Sequence, residues 1–127
     1  METHTADAVA EELGLQPYLT SDQIARMIGN GATNKDVSRW AIKLQLEPDL
    51  TLGARQWRRD KAVLFLLLAR LQEVYGDQSP VPFATVKQSG AMMAAQLLNG
   101  EPAQIIGRSN GVEITITLAS LAELLAA

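Results

Sequence analysis

The side chains best suited to chemistry are cationic, and they are concentrated in two short stretches of the chain. Residues 33–46 read TNKDVSRWAIKLQL, and residues 50–59 read LTLGARQWRR. The cationic residues of these stretches are Lys35, Arg39, Lys43, Arg55, Arg58 and Arg59. Ammonium and guanidinium groups bind phosphate and carboxylate oxygens through charge-assisted hydrogen bonds, and a guanidinium can donate two such bonds in parallel. The two stretches therefore predict a surface that binds an anionic partner.

The charges of the whole chain indicate that this surface is local. The net charge is −3 over 127 residues. Residues 1–19 carry four acidic side chains and no basic one, and residues 76–127 carry four acidic and two basic side chains. Residues 20–75 instead carry nine basic and six acidic side chains, a surplus of +3. An anion-binding surface is therefore expected only within residues 20–75.

The first basic stretch is predicted to form a helix over residues 34–46. At about 3.6 residues per turn, its three cations lie opposite an apolar side. The residues of that apolar side are Val37, Trp40, Ala41 and Leu44. Thr33 is a suitable N-cap residue, and Asp36 places a negative charge near the positive end of the helix. One side of this helix is therefore expected to face a core and the other to face anions.

A shorter helix is predicted just upstream, over residues 21–28. Thr20 and Gln23 have the spacing of a capping box, and Gly29-Asn30-Gly31 ends the helix. Two short helices joined by a glycine-containing turn are typical of a helix-turn-helix. The second basic stretch, residues 50–59, then predicts a short hairpin whose extended second arm carries the three arginines. We refer to residues 53–59 as the wing.

The rest of the chain predicts a mainly α fold with small β-hairpins. Asp60 is the expected N-cap of an apolar helix over residues 61–75, which is either the centre of the core or shared between two copies of the chain. Residues 1–17 predict a loosely held acidic arm, and residues 77–82 predict a linker. Residues 83–127 predict an α-β-β-α module with helices over about 85–98 and 118–125, the first with a Thr85–Gln88 capping box. The Asn110-Gly111 turn of its hairpin precedes a strand over residues 112–118.

Enzyme and metal chemistry have little support in the sequence. The chain has no cysteine, its one histidine, His4, falls in the acidic arm, and no phosphate-cradling Gly-Lys-Ser/Thr motif is present. No enzyme activity, cofactor or metal is therefore expected. The longest apolar run, residues 62–69, is far shorter than the roughly 20 residues of a membrane helix, and no secretory signal is evident. A cytoplasmic location is expected.

The order helix, turn, basic helix, arginine-rich hairpin and apolar helix resembles the DNA-binding domain of the MerR family and of the related excisionase-type winged helices. The stretches that carry the resemblance are YLTSDQIARMIG, DVSRWAIKLQL and GARQWRRDKAVLFL, within residues 18–71. The GNGA turn is longer than is usual in that family, and the C-terminal module does not match its coiled-coil dimerisation helix. The resemblance implies a winged helix-turn-helix over residues 18–76.

The resemblance also implies a function. Helix 34–46 would enter the major groove of duplex DNA, and the wing would contact the backbone. The implied DNA-binding residues are Thr33, Asn34, Lys35, Ser38, Arg39, Lys43, Arg55, Gln56, Arg58 and Arg59. The expected protein is a sequence-specific transcriptional regulator of bacterial or phage type. It is expected to act as a homodimer, since one winged helix covers only a few base pairs.

Several alternatives stay open at this stage. The chain is alternatively a protein-interaction adaptor that keeps the winged-helix fold without binding DNA, or an excisionase-like architectural protein that bends DNA. In one alternative, the cations of residues 35–43 form an ordinary solvated face. In another, Arg58 and Arg59 pair with Asp60 or Glu73 on the surface. Trp40 and Trp57 are expected to anchor the core. Helices near 91–98 and 118–125, with the strand at 112–118, form a dimer contact or pack back onto helix 61–75.

Overall fold

The computed structural model describes residues 13–76, 78–109, 111–118 and 120–126. Most of the predicted acidic arm, residues 1–12, lies outside these ranges. The elements in chain order are β1 (Tyr18–Thr20), α1 (Ser21–Ile28), α2 (Asn34–Leu44), β2 (Gln56–Arg58), α3 (Arg59–Tyr75), α4 (Val81–Leu98), β3 (Ala103–Ser109), β4 (Val112–Leu118) and α5 (Leu121–Ala126). The described chain is mainly helical with two small antiparallel strand pairs, which confirms the expected class at this coarser level.

Both helices of the basic segment begin where their caps predict. At α1, the Gln23 backbone N–H donates to the Thr20 hydroxyl, and the Thr20 N–H donates to the Gln23 side chain. At α2, the Thr33 N–H donates to the Asp36 carboxylate over 2.8 Å. Helix α2 ends two residues earlier than expected, because Gln45 adopts the left-handed conformation with φ of 59°. These local hydrogen bonds specify the two helix starts.

Helix α3 is the centre of the core. Every residue from Ala62 to Gln72 is buried, so each side of the helix is covered. It packs against α4 over the largest helix–helix contact, and also against α1, α5 and the β1–β2 pair. Trp57 is 1% exposed and meets Phe65 of α3 edge to face, and Trp40 is 7% exposed. The expectation that both tryptophans anchor the core is confirmed.

Three predicted helix starts are wrong. Helix α3 begins at Arg59 after Arg58, so Asp60 lies in the first turn and is not the N-cap. Helix α4 begins at Val81, with Pro82 in its first turn, where a missing N–H costs nothing. Most of the expected linker remains outside α4, but the Thr85–Gln88 pair lies within the helix and caps nothing. Helix α5 begins at Leu121, because Leu118 pairs with Ala103 in the C-terminal hairpin.

The β1–β2 pair was not expected in this form. Strand β1 immediately precedes α1 and lies antiparallel to β2, with Leu19 opposite Trp57. The predicted hairpin over residues 50–59 is reduced to one bridge between Leu50 and Gln56. The C-terminal hairpin instead forms a full ladder from Ala103–Leu118 to Ser109–Val112 around the predicted turn. Together with α4 and α5, it gives the expected α-β-β-α order.

Candidate nucleic-acid interface

The outward side of α2 carries cations. Val37, Trp40 and the other apolar residues of the opposite side are buried, which fixes the rotation of the helix. Lys35 and Arg39 are consequently exposed, and Ser38 between them is half-buried. Ile42 continues the same side one turn later and is 77% exposed. We call Lys35, Ser38, Arg39 and Ile42 the outer face of α2.

Arg39 is paired with a carboxylate from its own helix. Its guanidinium lies 2.7 Å from the Asp36 carboxylate, while 59% of the Arg39 side chain remains exposed. The backbone N–H of Thr33 and the Arg39 guanidinium both stabilise the charged carboxylate, and together they lower the pKa of Asp36 despite its partial burial. A guanidinium has five N–H donors, so this pair leaves Arg39 able to donate to another acceptor.

The two neutral polar residues at the start of α2 form hydrogen bonds within the protein. Thr33 is exposed and its hydroxyl donates to Asp36 over 3.3 Å. The Asn34 side-chain amide donates to the Asp22 carboxylate of α1 over 2.8 Å. The two residues expected to face bases or phosphates at the helix start are therefore already bonded to carboxylates.

Lys43 lies on a flank of α2, apart from the outer face. Its ammonium sits over the Phe83 ring at the start of α4, 4.6 Å from the ring centroid. There it lines an open cleft of about 750 Å³ between the α1–α2 turn, α2, α3 and Phe83. The structure thus separates Lys43 from Lys35, which the sequence places on one basic side.

The exposed part of the wing carries two arginines. Arg55 is exposed and lies in the loop before β2. Arg58 keeps 63% of its side chain exposed, with its guanidinium 3.8 Å from the Asp60 carboxylate and its backbone N–H bonded to Asp49. The pairing of Arg58 with Asp60, one of the alternatives above, is therefore present as a long surface contact. Gln56 is half-buried, and its backbone bridges to Leu50.

Arg59 does not belong to the exposed wing. It is the first residue of α3 and is 7% exposed, and its backbone N–H donates to the Pro17 carbonyl. The prediction that Arg59 anchors a phosphate is therefore wrong for its observed position. The cause is the early start of α3, which turns the side chain at position 59 into the protein.

The basic surplus of residues 20–75 also includes side chains that hold the fold together. Arg70 is 8% exposed and donates to the carbonyls of Ile28 and Leu124 and to Glu73. Lys61 donates to the Glu47 carbonyl and to Asp49. Sequence reasoning missed these roles, although the position of Arg70 directly after an apolar run signalled burial. The exposed cations of the segment are Arg26, Lys35, Arg39, Lys43, Arg55 and Arg58.

The described residues contain neither a candidate metal centre nor a candidate membrane-spanning helix. In those ranges, no group of three His, Cys, Asp or Glu side chains is placed to hold a metal ion. None of the described helices has both the length and the apolar character to cross a bilayer.

Comparisons with known proteins add no relative. No protein-family model matches the chain, and searches of curated proteins and of solved structures find no significant match.

Proposed function

We propose that the chain is a sequence-specific DNA-binding transcriptional regulator of the MerR-like winged helix-turn-helix type. The observation that carries the proposal is the outer face of α2, where Lys35 and Arg39 are exposed one turn apart on a helix whose other side is packed in the core. A helix held in this way can enter the major groove without losing its packing.

Each exposed group has a role that its chemistry supports. Lys35 and Arg39 donate to phosphates or to guanine acceptors, and Ser38 donates to phosphate or to a base edge. Ile42 offers an apolar contact for a thymine methyl group. Arg55 and Arg58 neutralise phosphates beside the groove. In this proposal Lys43, Asn34 and Arg59 contribute little. Lys43 lies off the outer face, Asn34 is bonded to Asp22, and Arg59 is buried.

One α2 helix reads only a few base pairs, so we further propose a homodimer on a two-fold-related site, acting in the cytoplasm. The side of α4 that packs against α3 is not available for a dimer contact, because Val86, Met93 and Leu97 are already buried within one chain. The C-terminal hairpin, a strand pair with no further strand in the described structure, is the proposed contact.

The test is to measure the affinity for random-sequence duplex DNA at a series of salt concentrations, with fluorescence anisotropy as the signal for binding. Neutralising phosphates releases counterions, so log K is expected to fall steeply with log salt concentration. Lys35→Gln and Arg55→Gln should each reduce the magnitude of that slope by about 1. Lys87→Gln, which removes an exposed cation from α4, is the matched control and should leave the slope unchanged.

A flat salt dependence, or equal effects of Lys35→Gln and Lys87→Gln, would contradict the proposal. It would favour the protein-interaction adaptor, for which the exposed Ile42 and Leu52 side chains would be candidate apolar contacts. A footprint of one closed dimer site, rather than cooperative coverage of adjacent sites, would separate the regulator from an excisionase-like DNA-bending protein.

A further inference from the structure

The cleft beside α2 has walls from four parts of the chain. Arg39 and Lys43 extend from α2, Gln72 and Glu73 from the second half of α3, Phe83 from α4, and the Gly29–Gly31 turn closes one end. Its volume of about 750 Å³ falls within the range of roughly 300–1,000 Å³ that is typical of small-molecule sites. The cleft also continues past Lys43 toward residues 78–80. It can therefore admit a small organic molecule.

The carboxylates of the cleft are already bonded. Asp36 accepts from Arg39 and from the Thr33 N–H. Glu73 accepts from Arg70 over 3.0 Å and from the Asn30 amide over 3.2 Å. Their negative charge is therefore balanced by groups of the protein itself.

The charge of Lys43 is balanced differently. Among the described residues its ammonium has no carboxylate partner, and it lies over the Phe83 ring. An aromatic ring stabilises a cation by about 0.5–1 kcal/mol at an exposed site and leaves its three N–H donors available. Arg39, one helical turn away, retains N–H donors as well. The cleft therefore offers N–H donors from two neighbouring cations, and the positive charge of Lys43 is not matched by a carboxylate of the described residues.

We infer that this cleft is a binding site for a small organic anion, whose carboxylate or phosphate group is held by Lys43 and Arg39. The Gln72 side chain on the opposite wall supplies a further polar contact for the rest of the molecule. This site shares Arg39 with the proposed contact with DNA, whereas Lys43 lies off the outer face of α2 and belongs to the cleft alone. It gives the protein a place for a small effector.

The experiment is an NMR titration of the full chain with two probes, sodium citrate and inorganic phosphate, at constant ionic strength set with sodium chloride. Binding in the cleft should move the backbone amide signals of Gly29 and Gly31 and the indole signal of Trp40 in a saturable way. A dissociation constant on the order of 1 mM is expected for such minimal probes. Comparing the probes shows whether the site prefers carboxylates or phosphates, and saturation by either supports the inference.

Matched variants test which cation carries the binding. Lys43→Gln should weaken binding of the preferred probe by about tenfold, the effect of one lost charged hydrogen bond. Lys43→Arg should retain most of it. Lys35→Gln removes a cation from the same helix but outside the cleft, and should leave the dissociation constant unchanged. Signals of the β3–β4 hairpin report whether each variant keeps its fold.

Three results would overturn the inference. One is the absence of a saturable shift with both probes. Another is equal weakening by Lys35→Gln and Lys43→Gln, which would indicate general charge screening. The third is undiminished binding in Lys43→Gln. Neither these results nor the supporting ones depend on whether the chain binds DNA, so failure here is distinguishable from failure of the proposed function.

Discussion

Among single residues, Asp36 has two roles in α2: it caps the start of the helix and it pairs with Arg39. Its carboxylate accepts the Thr33 N–H, which would otherwise lack a partner at the helix end, and it accepts from Arg39. Both bonds are stronger to the charged form, which explains why the pKa of Asp36 is lowered. One ionised group therefore serves both the start of α2 and the pairing of Arg39.

We predict that Asp36→Ala lowers the free energy of unfolding by about 1 kcal/mol at neutral pH, the usual cost of losing a helix-capping side chain. Because the pKa of Asp36 is lowered by folding, its stabilisation is complete above about pH 4, near the unfolded value, and is lost as the pH falls through the folded value. The difference between variant and wild type should therefore shrink on acidification. Urea unfolding at a series of pH values measures it.

Asp60→Ala is the control, because Asp60 lies in the first turn of α3 without capping it and meets Arg58 only at 3.8 Å. Its effect should stay at or below about 0.5 kcal/mol. A pH-independent gap between Asp36→Ala and the wild type would show that the ionised carboxylate is not the source of the stabilisation.

At the element scale, α3 and α4 approach closely at Gly90. A Cβ atom built on Gly90 would lie 2.6 Å from Leu64 Cδ2 of α3 and 2.9 Å from Val86 Cγ1 of α4. Leu64 and Val86 are both buried, so neither side chain can move freely. The lack of a side chain at Gly90 therefore allows the two longest helices to pack together.

We predict that Gly90→Ala destabilises the protein by about 1 kcal/mol. Overpacking a core costs about 1–3 kcal/mol, which exceeds the gain of about 1 kcal/mol from replacing glycine by alanine within a helix. Gln88→Ala, at an exposed position of the same helix, should change stability by less than about 0.5 kcal/mol. If Gly90→Ala proved more stable than wild type in thermal unfolding, the close packing of α3 on α4 would be wrong.

At the scale of the whole molecule, the basic segment and the C-terminal module share one core. Helix α3 is buried on every side, and α4 from the C-terminal module covers part of it. Arg70 adds a polar connection, since its guanidinium bonds the last-turn carbonyls of both α1 and α5. The two modules expected from the sequence therefore pack against each other around α3.

We predict that a chain ending at Gly76 does not fold, because it would leave the α4-facing side of α3, including Leu64, exposed to water. A chain ending at Gly100 keeps α4 and should retain a cooperative thermal transition at a lower temperature than the full chain. Circular dichroism during heating distinguishes them. If the chain ending at Gly76 unfolded cooperatively at the same temperature as the full chain, the basic segment would fold independently of the C-terminal module.

Features that depend on neighbouring residues could be predicted from the amino-acid sequence alone. The capping pairs Thr20–Gln23 and Thr33–Asp36 placed α1 and α2, and the 3.6-residue period of Val37 and Trp40 gave the buried side of α2. The alternation of apolar and polar residues over 112–118, directly after the Asn110-Gly111 turn signal, predicted the C-terminal hairpin. Lys35, Arg39, Arg55 and Arg58 could be identified as exposed cations because local periodicity and composition decide exposure there.

Which cations remain available to a partner became clear from the packed fold, because burial and pairing depend on residues far apart in the chain. Arg59 and Arg70 are buried by contacts across the fold, and Arg70 meets a carbonyl 54 positions away. Lys43 lies over the Phe83 ring, and both residues line a cleft whose walls come from distant parts of the chain, so no local pattern predicts it. A charge count along the sequence cannot distinguish a cation that binds a partner from one that holds helices together.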